Sequence, residues 1–339
     1  MLFDFIDKSI YYEEDELLRQ SFVKNLSAEK NYLYNLVLKS LNAFHASFNS
    51  KTKIYQLLES IEILYHKGLY QQALKLVKKA LKIAHGSELF TQCLVLNEEA
   101  SLNISGANEV LDTIKNFNTI QEITTNSYSQ QVKMGLSRSN EDSNLLDKFV
   151  NDRKINKPEY TKSNRALMYI NGLNLTYSYF VGNKVETLKY AKLMTDLYES
   201  ESYLIEYSTI GYVSSLYNLV NAYLENDLES NAMDVLTKLE NTKDKFGIPT
   251  SYNISARVFI YSSNIRLGLY LNHDKYEESK FLIESNNVSL EKYKSYVVKP
   301  QLYEYYFLIA KYYIVSGEYK KALSYTNLIL NDSGFKLRD

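Results

Sequence analysis

Apolar residues recur along most of this chain at separations of three and four, the spacing that lays one stripe down an α-helix. The clearest run opens at Ile54, where Ile54, Leu57, Leu58, Ile61, Leu64 and Tyr65 share a face. His66-Lys67-Gly68 closes it, with glycine suited to the left-handed turn at a helix C-terminus. A second stripe follows at once. Tyr70, Ala73, Leu74, Val77, Ala80, Leu81 and Ala84 make an inner face, and Gln71, Gln72, Lys75, Lys78, Lys79 and Lys82 an outer one. The small residues Ala73 and Ala80 let two antiparallel helices approach closely. The pattern predicts a helical hairpin over residues 54–87.

The same turn returns near the other end, in Tyr312-Tyr313-Ile314-Val315-Ser316-Gly317-Glu318-Tyr319-Lys320-Lys321-Ala322-Leu323. Gly317, Tyr319 and Ala322 keep the mutual spacing of Gly68, Tyr70 and Ala73, and Tyr319 lies 249 residues beyond Tyr70. This predicts a second hairpin over 300–331. Both stretches resemble the tetratricopeptide repeat around its interhelical turn: an aromatic, a glycine, a second aromatic, then two small residues. Tyr65, Gly68, Tyr70, Ala73 and Ala80 fill those places in the first copy. His85-Gly86 stands where the family has a proline, and Ile329 replaces the later small residue of the second copy. The resemblance implies an all-α, right-handed solenoid of helical hairpins whose first helices line a groove for a peptide or partner helix.

Weaker hairpins lie between, visible mainly in their second helices. One carries Val185, Leu188, Ala191 and Leu197 after Gly182-Asn183; another carries Leu228, Ala232, Val235, Leu236 and Leu239 after Glu225-Asn226-Asp227. A third carries Tyr276, Ser279 and Ile283 after Asn272-His273-Asp274. From Val185 to Leu228 is 43 residues, to Tyr276 a further 48, to Tyr319 a further 43, against about 34 in the standard repeat. Longer helices are expected, with a register slip in the second unit, where alanine follows by four residues and not three. Upstream, Leu18, Phe22 and Leu26 mark one helix. Leu33, Leu36, Val37, Leu41 and Phe44 mark the next, with Ser27 a candidate N-cap. Downstream, 88–102 and 110–117 read as another hairpin. From 124 to 163 the chain turns polar, with Pro158 near its end and a short helix at 145–150. This stretch reads as a linker or mobile loop between an N-terminal block, 1–123, and a C-terminal array, 164–339, that can split the solenoid in two.

Composition agrees with helices. Eleven Gly and 3 Pro in 339 residues is a small supply of chain-reversing residues. A formal net charge of −1 provides no global field for nucleic acid or an anionic membrane, and arginine, the better phosphate ligand, is scarce. Lys157 and Lys162 flank a polar stretch and read as a solvated loop. Cys93 is the only cysteine, so an intramolecular disulfide is impossible; it sits in a mostly apolar helical run and reads as a small buried hydrophobe. Acids occupy the N-terminus where a signal peptide needs bases, and no apolar run approaches the ~20 residues of a membrane span, so the chain reads as cytoplasmic. The 32 Tyr accompany plentiful Lys, Asn and Ile, a skew that an A+T-rich genome produces.

Catalysis needs convergent groups, and none is recognised. His45, His66, His85 and His273 each lack a partner at metal-binding spacing, and no phosphate-binding glycine loop or nucleophile elbow occurs, so no cofactor or metal is expected. The acidic run Glu13-Glu14-Asp15-Glu16 suits a helix start. It also argues against a DNA-reading helix-turn-helix at the N-terminus. What remains is a binding surface. In the first hairpin Tyr55, Glu59, Glu62, Tyr65 and His66 lie off the core stripe and are the candidate groove lining. Glu59 and Glu62 there speak against the carboxylate grip that some family members use. In the last hairpin Tyr303, Tyr306, Ala310 and Tyr313 form one line, and Leu302, Tyr305, Ile309 and Tyr312 a neighbouring one. That helix is either packed on most sides or offers a tyrosine-rich patch to a partner or a second copy of the chain. The reading is a non-catalytic scaffold or adaptor for a protein or peptide. A peptide-sensing regulator with similar repeats, and an enzyme with a site between the two blocks, are its rivals.

Overall fold

The structure is a computed structural model and describes residues 2–8, 14–19, 25–45, 50–89, 91–93, 95–96, 122, 125–126, 129, 163–242 and 252–331. The helix expected at 110–117 and nearly all of the polar stretch 124–163 lie outside the described residues, as does part of the helix expected at 88–102. Among the described residues the chain is all-α, with helices packed in adjacent pairs. It divides into two compact units, Met1–Ile114 and Lys115–Asp339.

The first unit contains α1 (Leu2–Lys8), α2 (Glu14–Leu18), α3 (Leu26–His45), α4 (Ser50–His66) and α5 (Tyr70–Gly86). Helices α4 and α5 pack against each other through Ile54, Ile61, Ala73, Val77, Ala80 and Ala84, all buried, and Leu89, Cys93 and Leu96 extend this core. Tyr70 does not join the inner face: it is 53% exposed, with its ring edge-on to Tyr65 at 5.3 Å. The N-cap of α3 is Asn25 and not Ser27, since the Asn25 side-chain oxygen accepts from the Ala28 N–H at 3.1 Å. Glu14, in the first turn of α2, pairs with Lys30 at 2.8 Å. Cys93 is fully buried, and burial pushes its thiol pKa up to about 11, which keeps it protonated and inert.

The second unit runs through α6 (Asn164–Phe180), α7 (Lys184–Ser200), a short α8 (Ser202–Tyr207), α9 (Thr209–Glu225), α10 (Glu229–Glu240), α11 (Tyr252–Asn272), α12 (Tyr276–Tyr293), α13 (Lys299–Val315) and α14 (Tyr319–Leu330). The pairs α6–α7, α9–α10, α11–α12 and α13–α14 are hairpins, and α9, α11 and α13 also pack successively on one another. Side-chain oxygens of Ser163, Asn183 and Ser208 cap α6, α7 and α9. The core runs through the unit from Met168 to Tyr312 and includes the fully enclosed Tyr212 and Tyr305. Arg266 on α11 grips Glu240 on α10 with two 2.7 Å bonds, tying the second hairpin to the third.

Among the described residues one turn design repeats in five hairpins. Gly68, Gly182, Asp227, Asp274 and Gly317 take φ of 73°, 72°, 59°, 56° and 75°, the left-handed region that only Gly, Asn and Asp enter readily. The residue after each one donates its N–H back to a carbonyl five residues earlier, as in Leu69 to Leu64 and Glu318 to Tyr313, at 2.8–2.9 Å. This is the Schellman closure of a helix C-terminus. Five residues beyond each left-handed residue stands a small buried one: Ala73, Thr187, Ala232, Ser279 and Ala322, all at most 5% exposed. The two polar members are satisfied, Thr187 Oγ1 donating to the Asn183 carbonyl at 2.8 Å and Ser279 Oγ to the Lys275 carbonyl at 2.8 Å.

This removes the register slip expected in the second unit. The left-handed residues are spaced 45, 47 and 43 apart from Gly182 to Gly317, and Ala232 lies three residues into α10, as Ala73 does in α5. The apolar residue that suggested the slip, Leu228, is exposed and carries no register. In α13 the line Tyr305, Ile309 and Tyr312 is buried, Tyr303, Tyr306 and Tyr313 are half-buried, and Phe307, Ile314 and Val315 are exposed.

Candidate binding groove

The first helices of the hairpins in the second unit, α6, α9, α11 and α13, present two adjoining cavities. One measures ≈460 Å³ and the other ≈600 Å³, and they share Asn221, Leu224, Asn272 and Glu304 as walls. Leu175, Thr176 and Tyr179 of α6 close one end, and Ile265, Gly268 and Leu269 of α11 line the other. The cavities reach the hairpin turns, where Asp227, Glu229 and His273 join the wall. The hairpin turns and small-residue packing set the helix spacing; the first helices carry the polar side chains into the groove.

At the centre is a network that spans three hairpins. Tyr217 on α9 stacks on Tyr261 of α11, with ring centroids 4.1 Å apart and planes 16° from parallel. Its hydroxyl donates to the Glu304 carboxylate on α13, at 2.9 Å to Oε2 and 3.2 Å to Oε1. Asn264 of α11 donates from Nδ2 to the same Oε2 at 3.0 Å and to the Gln301 carbonyl at 3.0 Å. These two acceptors fix the carboxamide orientation, because a flipped amide would set oxygen against oxygen. Asn264 is 2% exposed, yet among the described residues its Oδ1 has no hydrogen-bond partner. A buried acceptor left unmatched costs about 1–3 kcal/mol.

The electrostatics are one-sided. Glu225, Asp227, Glu229 and Glu304 line the cavities, and among the described residues no Lys or Arg does. The His273 ring lies 2.9 Å from Glu229. Burial raises the pKa of Glu304 above the usual carboxylate value, and the hydrogen bonds from Tyr217 and Asn264 oppose that shift only in part. Burial, and then the neighbouring Glu304 charge, push the Tyr217 phenol well above its ordinary value, so it stays a donor. The surface can offer carbonyl and N–H groups to a chain through Asn218, Asn221 and Asn272, and a carboxylate to a cation. Among the described residues no group of three or more His, Cys, Asp or Glu converges as a metal site.

The residues expected from the sequence to line a groove lie in the first unit. Tyr55, Glu59, Glu62, Tyr65 and His66 are all exposed on α4, and none of them lines either cavity. Tyr55 accepts from Gln92 at 3.1 Å, Glu62 sits 3.9 Å from His66, and Tyr65 meets Tyr70. Of the turn residues, Gly68 and Gly317 take φ of 73° and 75° and Ala73, Ala80 and Ala322 are buried, whereas Tyr319, like Tyr70, is exposed, at 69%. Glu304 and Tyr217 carried no motif. The only sequence signal for Glu304 was its place in a narrow polar stripe of a tyrosine-rich helix. Among the described residues no helix is long and apolar enough to cross a membrane. No family model, no curated protein and no solved structure matches the chain.

Proposed function

We propose that this chain is a non-catalytic scaffold of tetratricopeptide-like hairpins, wound as a right-handed solenoid, that holds a protein or peptide segment along the first helices of its second unit. The observation that carries this reading is the pair of adjoining cavities, walled by carboxamides and carboxylates from successive first helices. Carboxamides both donate and accept, so a row of them suits the alternating N–H and C=O groups of an extended backbone. Walls from Leu175, Ile265, Leu269 and Leu308 supply apolar surface for side chains between those polar points. The repeating Schellman turn and its small partner five residues on also support a repeat architecture, in which each hairpin buries its neighbour's face.

Site-specific photo-crosslinking tests the reading. A crosslinking residue at Tyr179, which is 65% exposed beside the second cavity, should capture a defined polypeptide from native lysate. The same residue at Phe281, 73% exposed on α12 and lining neither cavity, should not capture it. Equal capture at both positions, or none at Tyr179, contradicts it.

A further inference from the structure

We propose that the groove takes an extended peptide segment carrying one lysine or arginine, its cation seated on Glu304 and one of its N–H groups on Asn264 Oδ1. The proposal rests on the peptide-binding reading above and adds the chemistry of the ligand. Two independent observations point to it. The first is charge: four carboxylates line the cavities and, among the described residues, no Lys or Arg lines them. The second is the orphan acceptor. Asn264 lines the first cavity, is 98% buried by its 2% exposure, and leaves Oδ1 unmatched while its nitrogen is fully used. An incoming N–H would satisfy that oxygen.

Glu304 has capacity for the cation. Its Oε2 takes the shorter Tyr217 contact at 2.9 Å and the Asn264 bond at 3.0 Å, leaving Oε1 with only the longer 3.2 Å contact. Both partners are neutral donors, and among the described residues no cationic side chain pairs with this carboxylate. An ammonium or guanidinium seated there favours the ionised carboxylate and so opposes the desolvation that raises the Glu304 pKa. A peptide fits better than a lone small amine because the cavities continue past Glu304 in both directions. Carboxamides flank it, Asn221 and Asn272 in both cavities and Asn218 in the second.

A positional-scanning hexapeptide array, probed with the full-length protein, tests this. The array should show enrichment of Lys or Arg at one position. The best lysine peptide should bind roughly tenfold more tightly than its norleucine analogue, the loss expected for one charge-assisted hydrogen bond. Glu304→Gln, nearly isosteric, should erase that difference, with thermal melting confirming that the variant is folded. Glu225→Gln, at the cavity edge, should reduce it in the same direction and decides the matter if Glu304→Gln melts early. Hexapeptides retained with no preference for a base, or a preference unchanged in both variants, overturn the cationic inference and leave the scaffold reading standing. No hexapeptide retained overturns both. Spermidine binding with the same Glu304 dependence, in the absence of peptide binding, replaces the peptide by a small polyamine and overturns the proposal.

Discussion

Tyr217 and Glu304 are 87 residues apart in sequence, and the tyrosine hydroxyl donates to the carboxylate at 2.9 Å. The bond joins α9 to α13 across α11, which contributes the ring beneath Tyr217 and the amide beside Glu304. Three hairpins thus share one polar junction at the point where the two cavities meet.

Tyr217→Phe keeps the ring stack and removes the donor. It should destabilise the second unit by about 1–2 kcal/mol, the cost of losing a hydrogen bond to a charged group. In urea the midpoint should fall with the slope unchanged. A midpoint equal to that of the unmodified protein would show that the junction contributes nothing to the fold.

The turns give a pair of opposite-sign predictions. At Gly317 an added Cβ meets nothing within 4 Å, so Gly317→Ala tests backbone conformation alone and should cost about 1–2 kcal/mol at φ +75°. Asp227 holds the same region at φ 59°, so Asp227→Gly should stabilise by several tenths of a kcal/mol. Destabilisation by Asp227→Gly would mean that side-chain bonding, and not left-handed geometry alone, chooses the aspartate there.

Ser279 tests the small-residue rule. It is fully buried five residues after Asp274, so Ser279→Leu should overpack the α11–α12 contact and cost about 1–3 kcal/mol. The same change at the exposed Ser285, further along α12, should be near neutral in thermal melts.

Alkaline pH should unfold the second unit. Burial pushes the phenols of Tyr198 and Tyr305 up to about 12, from an ordinary 10. Folded-state values above the unfolded ones mean that the stability they support is intact below about pH 10 and lost as pH rises toward 12. Each contributes roughly 2–3 kcal/mol by the time its folded pKa is passed. Absorbance of tyrosinate should therefore rise in two stages, exposed rings first and these two only with loss of helical circular dichroism. Smooth titration of all rings with helicity retained contradicts the enclosure of Tyr198 and Tyr305.

The first and last hairpins were legible because glycine, aromatic and alanine mark their turns openly. The middle turns were harder for a physical reason. Asp227 and Asp274 take the left-handed conformation that glycine signals elsewhere, and Thr187 and Ser279 hide the small-residue position behind a polar side chain. Aligning on the nearest apolar residue, Leu228, then shifted the register, since it faces outward. The helix cap at Asn25 was missed for a similar reason, with a nearby serine offering the same chemistry. Cys93 was read as buried from its apolar neighbours, and it is. The groove was not legible at all. Tyr217, Asn264 and Glu304 come together only through the packing of three first helices, and no local pattern encodes an 87-residue separation.

Gly268 permits the most direct test of the central claim. It lies within α11 on the wall of the first cavity, and a Cβ there meets open space. Gly268→Leu should place a side chain in the first cavity while favouring the helix by up to about 1 kcal/mol, giving an obstructed groove in a protein at least as stable. Affinity capture from native lysate with the unmodified and substituted proteins, compared by mass spectrometry, makes the measurement. The scaffold account predicts a polypeptide retained by the unmodified protein and lost with Gly268→Leu. Equal retention by both, or no polypeptide retained by either, contradicts it.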